Sequence, residues 1–166
     1  MNWKDSGAPH LKTQTNELTV TGKITFSLPQ PAESEHMKNA SASDSCLFCS
    51  MSPEWIVAEN SFAYAIRDGF PVTEGHSLII PKRHTDDFFG LTDEEVLACN
   101  QLLQKLRSAL LARNQDVKGF NIGMNAGAVA GQTIFHCHIH LIPRREGDVE
   151  NPRGGVRHTI PGKGFY

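Results

Sequence analysis

The chain has 166 residues, 39% of them hydrophobic, and a formal net charge of −2. That length suits one domain with a packed core plus an extension. Without a basic excess, a dedicated nucleic-acid surface is not expected, although a small anion can still be held in a local pocket. No apolar run reaches membrane-spanning length and the N-terminus carries no signal-peptide pattern, so no membrane partner and a cytoplasmic location are the default expectation.

Residues 1–45 are rich in Ser, Thr, Asn, Gln and Pro, with few large apolar side chains. They read as a polar extension. Leu18–Thr21 and Lys23–Leu28 are positioned for a short hairpin across Gly22, and 29–45 reads as a flexible linker. The globular domain is expected over 46–145. Trp55–Glu59 and Phe62–Arg67 read as strands joined by an Asn60-Ser61 turn. His76–Pro81, with its run Leu78-Ile79-Ile80, is a third strand. Leu91 to Arg113 is the one long helix. Thr92-Asp93-Glu94-Glu95 forms a capping box at its start, and Val96, Leu97, Leu102, Leu103, Leu106, Leu110 and Leu111 form its apolar stripe. Phe120–Asn125 is a fourth strand, and a fifth runs through Gln132–Pro143. Three strands, a helix and two strands predict an α+β fold, an antiparallel sheet covered on one face by the helix. Residues 146–166, rich in Gly, Pro and Arg, read as an irregular tail.

Within the fifth strand, His136, His138 and His140 recur at every second position, with Cys137, Ile139 and Leu141 between and after them. A strand's period of two puts the three imidazoles in one row and the apolar residues against a core. A helix would break the row. Three imidazoles in line suit a site that handles protons, metal or phosphate. Cys46-x-x-Cys49 is the second constellation. In a reducing compartment, such a pair points to metal or redox chemistry more than to a structural disulfide. Cys99 and Cys137 read as small core residues. His76 reads as a loop-to-strand junction residue.

His-x-His-x-His followed by two apolar residues, with Ala130-Gly131-Gln132-Thr133 before it, resembles the histidine-triad (HIT) family. The resemblance spans roughly Cys46 to Arg145. It includes Cys46-Leu47-Phe48-Cys49, Asp68, Gly75-His76, Ile80-Pro81-Lys82-Arg83-His84 and Asn125-Ala126-Gly127. It implies a five-stranded antiparallel sheet with one long helix, pairing into a homodimer with a continuous sheet. It also implies a nucleotide hydrolase or transferase, with the diadenosine polyphosphate hydrolases as the nearest branch.

By that resemblance His138 is the nucleophile at an α-phosphate, forming a nucleotidyl-histidine intermediate, and His140 contacts the phosphate and helps the leaving group. Gln132, Thr133 and Asn125 lie near phosphate oxygens, with ordinary turn hydrogen bonds as the competing role. Asp68 binds ribose hydroxyls or caps the turn at Gly69. Cys46, Cys49, His84 and the first triad histidine, His136, form a structural zinc site; otherwise the two histidines are hydrogen-bonded without metal. The basic tail (Arg144, Arg145, Arg153, Arg157, Lys163) is either an arm for the outer phosphates of a polyphosphate or a solvated terminus. Competing activities are a nucleoside 5′-phosphoramidase, a nucleotidyltransferase and a nucleotide-sensing protein without turnover.

Overall fold

The computed structural model describes residues 46–166; the extension expected over 1–45, with its hairpin, lies outside the described residues. Five strands and one long helix follow the expected order: β1 (Ile56–Glu59), β2 (Ala63–Arg67), β3 (Ser77–Pro81), α1 (Asp93–Arg113), β4 (Val117–Gly123) and β5 (Ile139–Arg145). All strand pairs are antiparallel, and the sheet order is β1-β2-β3-β5-β4. The last strand in the chain is therefore inserted beside β3, and β4 forms an edge.

Each face of the sheet has its own core. On one face Ala63, Ala65, Ile79, Ile139 and Leu141 pack against Ala98, Cys99, Leu102, Leu106 and Leu110 of α1. Each large side chain buried here contributes about 1.5–3 kcal/mol. Leu97, expected in this stripe, is instead 58% exposed, because the helix turns a narrower face of Ala98, Cys99 and every fourth leucine to the sheet. The other face carries Phe48, Tyr64, Ile66, Leu78 and Ile80.

The helix starts as expected. The Thr92 hydroxyl accepts the Glu95 N–H, and the Glu95 carboxylate accepts the Thr92 N–H. That carboxylate is also buried and takes a two-pronged bond from Arg83, which follows β3. One acid thus ties the end of β3 to the start of α1.

Two boundaries depart from expectation. β4 begins at Val117, because a bulge between Val117 and Gly119 lets this Gly- and Lys-containing segment keep pairing with β5. β5 begins only at Ile139, so His140 alone of the three histidines lies in a strand. The preceding residues lose their β4 partner because β4 ends at Gly123 and the chain leaves through Gly127 and Gly131, both at positive φ, and toward β3 their backbone is already used: the His136 carbonyl accepts from the His138 ring and the Cys137 N–H donates to the Thr85 carbonyl. The tail is also more ordered than expected: Gly155–Thr159 form a 3₁₀ turn that packs on β4.

Candidate active site

His138 sits between the loop and β5, 8% exposed. Its Nδ1–H donates to the His136 carbonyl at 2.8 Å. In the neutral ring that bond assigns the proton to Nδ1 and makes Nε2 the lone-pair nitrogen. Among the described residues Nε2 has no hydrogen-bond partner.

His140 lies next to it, ring centroids 5.2 Å apart. Cross-strand pairing sets His140 opposite Leu78, and the residue just before β3 is His76. His76 Nε2 lies 3.0 Å from His140 Nδ1, and His76 Nδ1 lies 3.2 Å from an Asp68 oxygen. The Val72 N–H also points at His76 Nδ1, at 3.3 Å. The carboxylate is the stronger partner and assigns the proton to that nitrogen. The order Asp68–His76–His140 is a chain in which His76 uses opposite nitrogens on its two neighbours, and one donor atom from each of the three lies within 4.8 Å of the others. Burial lowers the pKa of His76, against the pull of Asp68. Burial also lowers that of His140, helped by His138 and His76 and opposed by Asp68. The β2–β3 hairpin builds this chain. The Asp68 N–H donates to the His76 carbonyl, and Gly75 provides the turn at φ +87°, where a Cβ would stand 2.8 Å from Leu110 Cδ2. His76 was not expected in the site. Its signal was a histidine entering an apolar strand two registers from the triad.

His136 faces elsewhere. Its ring is fully buried, and its Nε2–H donates to the Pro81 carbonyl at 2.9 Å. Its Nδ1 lies 3.5 Å from both Cys46 Sγ and Cys49 Sγ, and Cys49 Sγ is 3.2 Å from His84 Nδ1. The four candidate ligand atoms lie within 4.8 Å of one another. Tetrahedral zinc with bonds of about 2.1 and 2.3 Å needs ligand atoms roughly 3.3–3.8 Å apart, so the closest separations here match that donor set. The Pro81 bond also presents the His136 lone pair to the sulfurs, as a metal ligand requires. The Phe48 ring stands 5.8 Å from His136 and 5.3 Å from His138.

The remaining expected residues divide. Asp68 Oδ1 accepts the Phe70 N–H, so Asp68 caps its turn while facing the histidines. Asn125 lines, with His76 and His140, an open cavity of about 720 Å³. The buried Gln132 has its amide fully used: it donates to the Asp86 and Ile134 carbonyls and accepts the Gly127 N–H. It clamps the loop. Thr133 is exposed and lines a separate cavity with Cys46 and His84. In the tail, Arg144 is held by Asp148 and Asn121. Arg153 and Arg157 bond to tail carbonyls and lie over the Tyr166 ring.

A model of the HIT domain matches residues 50–147. Over 113 residues the chain is 38% identical to an uncharacterized 16.1 kDa HIT-like protein of Mycoplasma pneumoniae, covering 66% of this chain and 78% of that protein. It is 36% identical over 117 residues to adenylylsulfatase HINT3 of Arabidopsis thaliana, covering 68% of this chain and 58% of that protein. Its fold is similar to the crystal structure of a Zn-bound histidine triad family protein from Mycobacterium smegmatis. That match has a TM-score of 0.58 and 37% identity, and it covers 63% of this chain and 78% of that one.

Proposed function

The chain belongs to the HIT domain family, and on that premise we propose that it is a nucleotide hydrolase that cleaves at the α-phosphate through a nucleotidyl-His138 intermediate. The observation that carries this reading is the His138 Nδ1–H bond to the His136 carbonyl, which makes Nε2, without a partner among the described residues, the lone-pair nitrogen of the neutral ring. Such a group is a competent nucleophile toward phosphorus because it brings no negative charge to an anion.

The proposed sequence has two steps. Bound phosphate raises the proton affinity of His140, which alone is biased toward neutrality by burial. His138 Nε2 attacks phosphorus as the bond to the leaving group breaks, and His140 Nε2–H protonates the departing atom. Water then attacks the same phosphorus, the P–N bond breaks, and His140 takes a proton from the water. The products are a nucleoside 5′-monophosphate and the free leaving group. His76 and Asp68 hold the opposite side of the His140 ring and offset its charge when it forms. Asp68 retains lone pairs for a ribose hydroxyl, and Asn125 is the side chain we assign to a phosphate oxygen. Gln132 contributes by shaping the Gly127–Gly131 turn.

Cys46, Cys49, His84 and His136 would hold a zinc ion, which would supply a structural crosslink between the Cys46–Cys49 segment and the segment that precedes β5 and bears the nucleophile. We further propose that the protein is a homodimer joined at a sheet edge; sedimentation as a monomer at micromolar concentration would refute this.

Dinucleoside polyphosphates are the substrate class we favour. The similarity to an adenylylsulfatase supports a second reading, a nucleoside monophosphate joined to a smaller leaving group such as sulfate or an amine. Incubation with diadenosine tetraphosphate, adenylyl sulfate and adenosine 5′-phosphoramidate, with products separated by chromatography, tests both. Release of AMP from the first identifies the favoured class. Release from the others alone selects the second reading, and transfer to added phosphate would mark a transferase. Binding without turnover would mark a sensor.

A further inference from the structure

We propose that Asp68, His76 and His140 form a second metal site, for a divalent first-row transition ion, and that an ion bound there competes with the nucleoside. The competition rests on the roles assigned above to Asp68 and His140; the site itself does not.

The first observation is a charge without a cation. The Asp68 side chain is only 14% exposed, and among the described residues no lysine or arginine pairs with it; the groups beside it are His76 and His140. Burial biases both of those rings toward the neutral form. A carboxylate taken out of water is costly unless a positive charge meets it. Oδ1 is held by the Phe70 N–H, which leaves Oδ2 toward the two rings.

The second observation is spacing. His76 Nε2 and His140 Nδ1 are 3.0 Å apart, and Asp68 Oδ2 is 3.9 Å from His140 Nδ1. Adjacent ligands of an ion with bonds of ~2.1 Å stand ~3.0 Å apart at right angles, so the two nitrogens are already at that spacing and the carboxylate has ~1 Å to close. The ion replaces the hydrogen bond between the rings, each ring tilting to aim its lone pair. Asp68 keeps the proton of His76 on Nδ1 and so presents Nε2 as the ligand. The proton of His140 moves from Nδ1 to Nε2, so the neutral site takes up an ion without losing a proton. Two imidazoles and one carboxylate suit divalent iron, cobalt, manganese or zinc and leave positions for water. His76 and His140 line an open cavity of about 720 Å³, which gives the ion a way in.

An ion here takes the Asp68 lone pairs assigned to a ribose hydroxyl, and its charge opposes the protonation of His140. The two ligands must then weaken each other by the same factor.

Cobalt(II) is the probe, added to the full chain after one equivalent of zinc has been supplied to the cysteine cluster. One further equivalent should bind, with visible d–d bands but no thiolate charge-transfer band. Its affinity should fall at least tenfold in Asp68→Asn and in His76→Gln, and it should lower adenosine affinity about tenfold. Adenosine is used because it carries no phosphate to draw cobalt into solution. No second equivalent, or one of unchanged affinity in both variants, overturns the site. Adenosine binding that cobalt leaves unchanged overturns the competition. Should adenosine bind neither the free nor the cobalt-loaded protein, the nucleotide reading has failed, and the variants alone decide the site. If the variants do not fold, NMR of the wild type decides: cobalt must shift the ring protons of both His76 and His140, and unmoved signals overturn the site.

Discussion

Nε2 of His76 and Nδ1 of His140 lie 3.0 Å apart across two strands that are 64 residues apart in the chain. In the proposed mechanism this contact leaves Nε2 of His140 for the substrate and makes His76 a positioning residue that acts through its neighbour. His76→Phe keeps a ring of similar shape and removes both hydrogen bonds. The expected outcome is a kcat lower by about 10–100-fold with KM little changed, and a displaced acid limb of the kcat pH profile. A change confined to KM would assign His76 to substrate binding instead.

Replacing His138 with Asn removes the proposed nucleophile while retaining a polar side chain beside the His136 carbonyl. Turnover should fall below detection, while AMP still binds, as read by isothermal titration. Near-normal turnover would move the chemistry to another group.

Stability should depend on pH in one direction. His76 and His140 have folded pKa values below the ordinary 6.5 because burial disfavours their charged forms. The unfolded chain therefore binds more protons between those values and 6.5. Stability is fully present above pH 6.5 and is lost as pH falls through that value toward the folded pKa values. Melting temperature in the absence of nucleotide should rise from pH 5 to about 7 and then level. His76→Phe should flatten part of that slope.

The cysteine cluster makes a separate prediction. Protein purified without added zinc should carry close to one equivalent of the metal. Cys49→Ser should lose it and lower Tm by about 10 °C or more, since metal binding here is coupled to folding. Full stability after chelation would indicate that hydrogen bonds alone hold His84 and His136.

Arg83→Ala leaves the buried Glu95 carboxylate with only its capping bonds. The ion pair is half exposed on the arginine side, so the cost should be roughly 2–4 kcal/mol, below that of a fully buried pair. Chemical denaturation of wild type and variant measures it. The double change Arg83→Met/Glu95→Gln should recover part of the loss, because it removes the uncompensated charge.

Local signals carried far in this chain. The order of strands and helix, the Thr92–Glu95 cap and the buried leucines of α1 follow from periodicity and capping chemistry, which act over a few residues. The pairing of Cys46 and Cys49 with His84 and His136 was legible through family resemblance, and the chain's own geometry brings those atoms together. The continuous histidine strand was misjudged. Alternation alone predicts a ladder through His136 and His138, but β4 turns away before reaching them, and their backbone groups bond the His138 ring and the Thr85 carbonyl instead of β3.

What the sequence determined by itself was the set of reactive groups and the elements that carry them, because residue type and short-range spacing decide both. Only the tertiary structure decided that the three histidines divide their work: His136 toward the cysteines, His138 open, and His140 joined to His76 and Asp68. It also decided that Arg153 and Arg157 turn onto tail carbonyls and the Tyr166 ring. The physical reason is the same in each case. A side chain's partners are chosen by which strands lie side by side and where each ladder ends, and those contacts join residues far apart in the chain.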